Sequence, residues 1–226
     1  MRGLNHGLRP LADGLGGSGG AAPAGDSFPA PYAYYRFQNN GTDSSGNGRS
    51  LSMTDAGYSS GLIGNCLSAG EGSITTLNLS DFTASFWFQF PTGQPEEEGG
   101  LLSVRNASNQ LLVYALLDTA SATPTLTVTN GPDGQSFTVG FDAWNHLAIA
   151  RSGNALAALY LNGVNVLFAM DVPRAAFADK AATRILASTG SASVTPMDEL
   201  GVWDTALTDP QILQLYNGGA GWDPTA

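Results

Sequence analysis

The sequence predicts an all-β chain: an antiparallel sandwich of two sheets, with one short helix near the C-terminus and an extended arm at the N-terminus. Three observations lead there. From Tyr32 onward, short apolar stretches are separated by Gly, Asn, Asp and Ser turns, with no β-α-β rhythm. Phe82, Ala84, Phe86, Phe88 and Phe90 alternate with Thr83, Ser85, Trp87 and Gln89, the period of a strand with one face on a core. Helix signals gather in one place, just after Thr208.

Residues 1 to about 30 form the arm. It holds eight glycines by position 25, with Pro10, Pro23, Pro29 and Pro31, and cannot bury enough apolar area to offset its ordering entropy. Leu4, Leu8, Leu11 and Leu15 fall at spacings that would line one helix face, whereas Gly3, Gly7, Pro10 and Gly14 oppose a stable helix. Two readings stand: a flexible tail with scattered leucines, or an arm whose leucines dock on a partner.

The body follows as strands. The aromatic run Tyr32 to Phe37 opens it, and Gly64-Asn65-Cys66-Leu67-Ser68 is an apolar strand pattern. After Phe82 to Phe90 come Leu101 to Val104, Leu111 to Leu117, Leu126 to Val128, Phe137 to Val139, Leu147 to Ala150, Ala155 to Leu161 and Val164 to Phe168. Turns sit at Asn130 to Gly134 and Ser152 to Asn154. Ser152 to Met170 is uncharged, but Asn154, Asn165 and the hairpin signal Asn162-Gly163 divide it into two strands rather than a membrane span. Thr208 then caps a helix over 209–217, with Gln211 as its capping-box partner and Pro210 in the first turn. Ile212, Leu215 and Tyr216 form its apolar stripe and Gly218-Gly219 stops it, leaving residues 218–226 as a tail.

Bulk properties bound the function. The chain has 226 residues, and 42% of them are hydrophobic, enough for one self-sufficient domain plus an appendage. Its formal charge of −10 repels phosphate backbones, which argues against nucleic acid as a partner. Cys66 is the sole cysteine, so no intramolecular disulfide forms, and its apolar neighbours read as core. No continuous apolar stretch follows Arg2 and Arg9, so no signal peptide is expected.

Candidate chemistry is sparse. Asp198 and Glu199 are adjacent, which on a regular strand sends them to opposite faces, and the acid pair Glu96 and Glu98 lies in a Pro/Gly-rich loop. His6 lies in the arm, and His146 reads as a packed strand residue with no nucleophile turn nearby. The loop Asp43-Ser44-Ser45-Gly46-Asn47-Gly48 offers a carboxylate, hydroxyls and an amide oxygen, which are hard ligands suited to Ca2+. The same residues also suit a metal-free Asx turn. For sugar stacking, Tyr58, Trp87 and Trp222 remain by elimination, with the glycan-binding residues unassigned.

Three segments in fixed order carry a resemblance. They are Thr42 to Gly48 after the aromatic run; Trp144-Asn145-His146-Leu147-Ala148-Ile149 with Leu159-Tyr160-Leu161-Asn162-Gly163; and Met197-Asp198-Glu199-Leu200-Gly201-Val202-Trp203 with Ala206-Leu207-Thr208, Gln211-Ile212 and Leu215-Tyr216-Asn217. Over Pro31 to Gly218 the chain resembles the laminin G-like, concanavalin A-like jelly-roll family. The resemblance implies a jelly roll over 31–217, with Trp87, Trp144 and Trp203 in packing positions. It implies a structural Ca2+ held by Asp43, Asn47, Asp198 and Glu199, with the metal-free turn as the competing reading. The Glu-x-Asp-x-x-Glu strand of the family's glucanases is absent from the sequence.

Three functions follow. The first is a non-enzymatic virion protein, a bacteriophage head decoration or appendage present in many copies. Residues 1–30 would anchor it to a shell or appendage protein, and its jelly roll would adhere to surface glycans. The second is a carbohydrate-binding or adhesion module of a bacterial surface system, and the third a glycoside hydrolase. The expected location is the virion, or otherwise the cell surface. Neither nucleic acid nor membrane is expected as a partner.

Overall fold

The computed structural model describes residues 28–75, 77–93, 98–118, 123–130, 133–153, 155–167, 184–188 and 195–225. The arm leucines Leu4, Leu8, Leu11 and Leu15, together with His6 and Glu96, lie outside the described residues.

The described chain is β1 (Ala33–Tyr35), β2 (Ser52–Ser60), β3 (Asn65–Ile74), β4 (Phe82–Gln89), β5 (Glu98–Arg105), β6 (Leu111–Asp118), β7 (Thr125–Asn130), β8 (Asp133–Thr138), β9 (Trp144–Ser152), β10 (Ala155–Leu161), β11 (Val164–Asn165), β12 (Arg184–Ser188), β13 (Met197–Trp203) and α1 (Asp209–Tyr216). Two antiparallel sheets result. One runs β11-β10-β9-β4-β13, with β1 beside β13. The other runs β3-β12-β5-β6-β7-β8, with β2 beside β3. Leu67 of β3 pairs with Met197 of β13, and Glu71 to Ile74 pair with β12, so β3 carries the hydrogen-bonded ladder from one sheet to the other.

The core lies between the sheets. Phe82, Ala84, Phe86 and Phe88 of β4 meet Leu147, Ile149 and Leu159 within one sheet, and Leu102, Val104, Val113, Ala115, Leu117, Leu126, Val128 and Ile185 face them from the other. Full burial of such a side chain stabilises by roughly 1.5–3 kcal/mol relative to exposure.

A second layer covers the outside of the first sheet only. Ile212 and Leu215 of α1, with Leu207, pack on Ala148, Ala150, Ala158, Tyr160 and Trp203. The three alanines are small enough to let the helix approach. The helix starts where its capping chemistry predicts, with the Thr208 N–H donating to Gln211 Oε1 at 2.9 Å. It ends at Tyr216, because Asn217 adopts the left-handed conformation at φ 47°. Residues 221–223, read from sequence as tail, pack back on the body. Trp222 meets Phe28 edge-on at 4.7 Å, and Arg36 Nη1 lies 3.3 Å from Asp223 Oδ2.

Three differences from expectation have local causes. The strand expected over Val164 to Phe168 is the two-residue β11, and Phe168 is not described. Strand β2 is polar and largely exposed, so it carries no apolar alternation to announce it. Strand β12 pairs on both sides, with β3 and β5, and offers only a short apolar stretch.

Candidate functional site

Asp43 sits where the chain leaves β1 and turns back. Its Oδ1 accepts hydrogen bonds from the Tyr34 N–H (3.0 Å) and the Ser45 N–H (2.9 Å), and its Oδ2 accepts from the Arg49 N–H (2.8 Å). Burial alone would raise this carboxyl, but hydrogen bonds from Ser45, Arg49 and Tyr34 outweigh burial and hold its pKa below the usual value. The Ser45 bond is an Asx turn. Asn47 Nδ2 donates to the Pro31 and Tyr32 carbonyls, both at 3.1 Å, so the amide ties the loop to the entry of β1.

The acids of β13 occupy a bulge. Asp198 pairs with Trp87 and Gly201 with Ser85, so β13 gains a residue on β4 between them. Glu199 takes φ +51° there. Met197 and Leu200 both enter the inter-sheet core, three positions apart rather than two. Asp198 and Glu199 therefore both face outward, correcting the expectation of opposite faces. Asp198 is fully buried; its Oδ2 accepts from the Ile63 N–H and its Oδ1 from the Glu199 N–H, both at 3.0 Å. Burial pushes it up to about 7, against those hydrogen bonds. Glu199 Oε2 accepts from the Tyr34 hydroxyl, and its buried Oε1 has no protein partner among the described residues. Burial pushes Glu199 up to about 8, opposed by the Tyr34 hydrogen bond and reinforced by Asp198.

The four residues implied for Ca2+ thus divide between two places joined by Tyr34, whose backbone holds Asp43 and whose phenol holds Glu199. Both oxygens of Asp43 and both of Asp198 already accept backbone hydrogen bonds, and Asn47 turns its NH2 group toward carbonyls. This donor set does not fit one ion shared by Asp43, Asn47, Asp198 and Glu199. Among the described residues no group of three or more His, Cys, Asp or Glu side chains is placed to hold a metal.

One contact escaped the sequence reading. Ser85 Oγ and His146 Nε2 share a hydrogen bond of 2.8 Å across β4 and β9. The pair is buried beneath Trp87 and Tyr216: Trp87 lies 4.9 Å from His146 and stacks on Tyr216 at 5.8 Å. Burial lowers His146 to about 3, so the imidazole is neutral, and its Nδ1 meets no partner among the described residues. Among the described residues no carboxylate meets Nδ1, so the pair lacks the third member of a Ser-His-Asp triad. The two residues are 61 positions apart, and nothing local in the sequence signals their contact.

The aromatic candidates mostly serve packing. Trp87 and Trp203 are buried, and Trp203 Nε1 donates to the Pro29 carbonyl at 3.0 Å. Trp222 is half-buried against Phe28, and Tyr58 packs at the margin of the inter-sheet core.

A sandwich of two antiparallel sheets with a C-terminal helix on one outer face is the lectin type of jelly roll. A family model matches residues 67–213, and the chain belongs to the concanavalin A-like lectin/glucanases superfamily. No curated protein matches it in sequence. Among solved structures, it is similar to domain 4 of AbnA, an extracellular arabinanase of Geobacillus stearothermophilus, solved with arabinotriose: TM-score 0.59, 19% identity, covering 80% of this chain and 95% of that one. It is similar to the Trypanosoma rangeli sialidase in complex with sialic acid, at TM-score 0.63 and 14% identity over 90% of this chain and 36% of that one. It is also similar to the botulinum neurotoxin serotype D ligand-binding domain in complex with N-acetylneuraminic acid, at TM-score 0.61 and 12% identity over 84% of this chain. The chain spans about half (51%) of that neurotoxin domain.

Proposed function

We propose that this protein is a non-enzymatic glycan-binding module, displayed on a virion as a decoration or appendage protein. The observation that carries the non-enzymatic reading is the fate of its adjacent acids. Asp198 and Glu199 are buried and engaged by Ile63, Glu199 and Tyr34, so neither faces a groove where a sugar could lie between two carboxylates. The glycan reading is supported by the superfamily and by three structural neighbours solved with sugars. Of the arm over residues 1–30, the part ahead of Phe28 is the proposed anchor, because Phe28 and Pro29 contact Trp203 and Trp222 of the jelly roll itself. Each buried leucine of Leu4, Leu8, Leu11 and Leu15 would contribute roughly 1.5–3 kcal/mol, offset by the ordering cost of the arm.

A second reading, a module of a secreted or surface-bound carbohydrate system, is favoured by the 95% coverage of the arabinanase domain. Deletion of residues 1–25 separates the two. The virion reading expects the truncated protein to stay folded and to bind polysaccharide, but to be lost from purified particles. Normal incorporation of the truncated protein would contradict the anchor, and absence of the full-length protein from particles would leave the surface module.

A further inference from the structure

We propose that the outer face of β5–β8 is the glycan-binding surface, that the Tyr114 ring is its stacking platform, and that its ligand is a neutral polysaccharide. The proposal rests on the glycan-binding reading and adds the place and the ligand class.

The register of the sheet builds this face in rows. One row runs Ser103, Tyr114, Thr129, Gly134 across β5, β6, β7 and β8; the next runs Gly100, Leu116, Thr127, Ser136. The inward neighbours Leu102, Val113, Ala115, Leu117, Leu126 and Val128 are core. Tyr114, Leu116, Thr127 and Thr129 are half-exposed, and Gly134 and Ser136 are exposed. Helix α1 packs on the opposite sheet.

The ring of Tyr114 reaches across to Gly100. A Cβ built on Gly100 would stand 2.6 Å from Tyr114 Oη, 2.9 Å from Cε2 and 3.1 Å from Cζ. The ring therefore occupies the space a side chain at position 100 would fill. A half-exposed aromatic ring offers an electron-rich face on which the polarised C–H groups of a sugar ring stack. Beside it, Thr127 Oγ1 and Ser136 Oγ share a hydrogen bond of 2.8 Å. Hydroxyls both donate and accept, matching the hydroxyls of a sugar.

Charge selects the ligand class. The eight positions of the two rows hold no acidic or basic residue. In the next row, which runs through Asp118, Thr125 and Thr138, Asp118 adds an acidic group. With a net charge of −10, the chain repels polyanions. Only Tyr114 and Leu116 in the two rows are large and apolar, too few for the apolar centre of a protein interface.

Affinity electrophoresis of the full chain through gels containing arabinan, galactan, mannan, mixed-linkage β-glucan or alginate tests this. Retention is expected on at least one neutral polymer and not on alginate. Tyr114→Ala is expected to weaken that retention about tenfold. Gly100→Val is expected to weaken it similarly, by displacing the ring, and Tyr114→Phe to keep most of it. Should Tyr114→Ala or Gly100→Val fail to fold, the double variant T127A/S136A, confined to exposed hydroxyls, is expected to weaken retention about threefold. Wild-type retention with folded Tyr114→Ala unchanged would overturn the assignment of this face and leave the glycan-binding reading standing. Retention on no neutral polymer would overturn both, and retention on alginate alone would overturn the ligand class. A dimer abolished by Tyr114→Ala would assign the face to a second copy and overturn the proposal.

Discussion

The Tyr34 hydroxyl donates to Glu199 Oε2 across 165 residues of sequence, joining β1 to the bulge of β13. The bond adds a side-chain tie to the backbone pairing of β1 with β13. Tyr34→Phe would strip Glu199 of its described side-chain partner while its other oxygen is already unpaired. A buried acceptor left unsatisfied costs about 1–3 kcal/mol, so the variant is expected to unfold at lower denaturant with an unchanged slope. A midpoint equal to wild type would show that the bond does not stabilise the fold.

Stability is expected to fall as pH rises from about 5 to 8.5. Asp198 moves from 3.8 to about 7 on folding, and Glu199 from 4.5 to about 8. The native state therefore holds protons that the unfolded chain has released, and their stabilising contribution is lost as pH climbs through 7 and 8. Asp43 acts with the opposite sign, its contribution being lost in acid, because its pKa is lowered. Glu199→Gln is expected to flatten the alkaline limb in melting curves taken across this range. A melting temperature that rises with pH in wild type would contradict the burial of these acids.

Gly201 is required for packing rather than for its backbone angle. A Cβ there would lie 2.4 Å from Trp203 Cη2, 2.6 Å from Cζ3 and 3.3 Å from Tyr34 Cδ2. Gly201→Ala is expected to cost about 1–3 kcal/mol, or about 3–10 °C in melting temperature. Circular dichroism melts would read it, and an unchanged value would mean that the Trp203 ring moves aside freely.

Asp43 is expected to matter without metal. Asp43→Ala removes the acceptor for three backbone N–H groups and should destabilise equally in Ca2+ and in chelator. Wild type should melt at the same temperature in both. A rise with millimolar Ca2+ that disappears in Asp43→Ala would restore the ion at this loop.

What the sequence announces is local. The alternation of Phe82 to Phe88 survives because β4 pairs on both sides, and the helix after Thr208 survives because its cap is built from neighbouring residues. What it hides is tertiary. Asp198 and Glu199 share a face only through the bulge at Glu199, and Ser85 meets His146 only once β4 and β9 pair. The Tyr114 ring comes against Gly100, which has no side chain, only once β5 and β6 pair around the bulge between Gly100 and Leu102.

The most direct measurement follows polysaccharide and product together. Purified protein is incubated with the neutral polymers that retain it, and reducing ends are counted over a day. Retention with no reducing ends above the protein-free control is the expected result. Release of reducing ends that is lost on substitution of Asp198 or Glu199 would contradict a binding module and make the protein a glycan-cleaving enzyme.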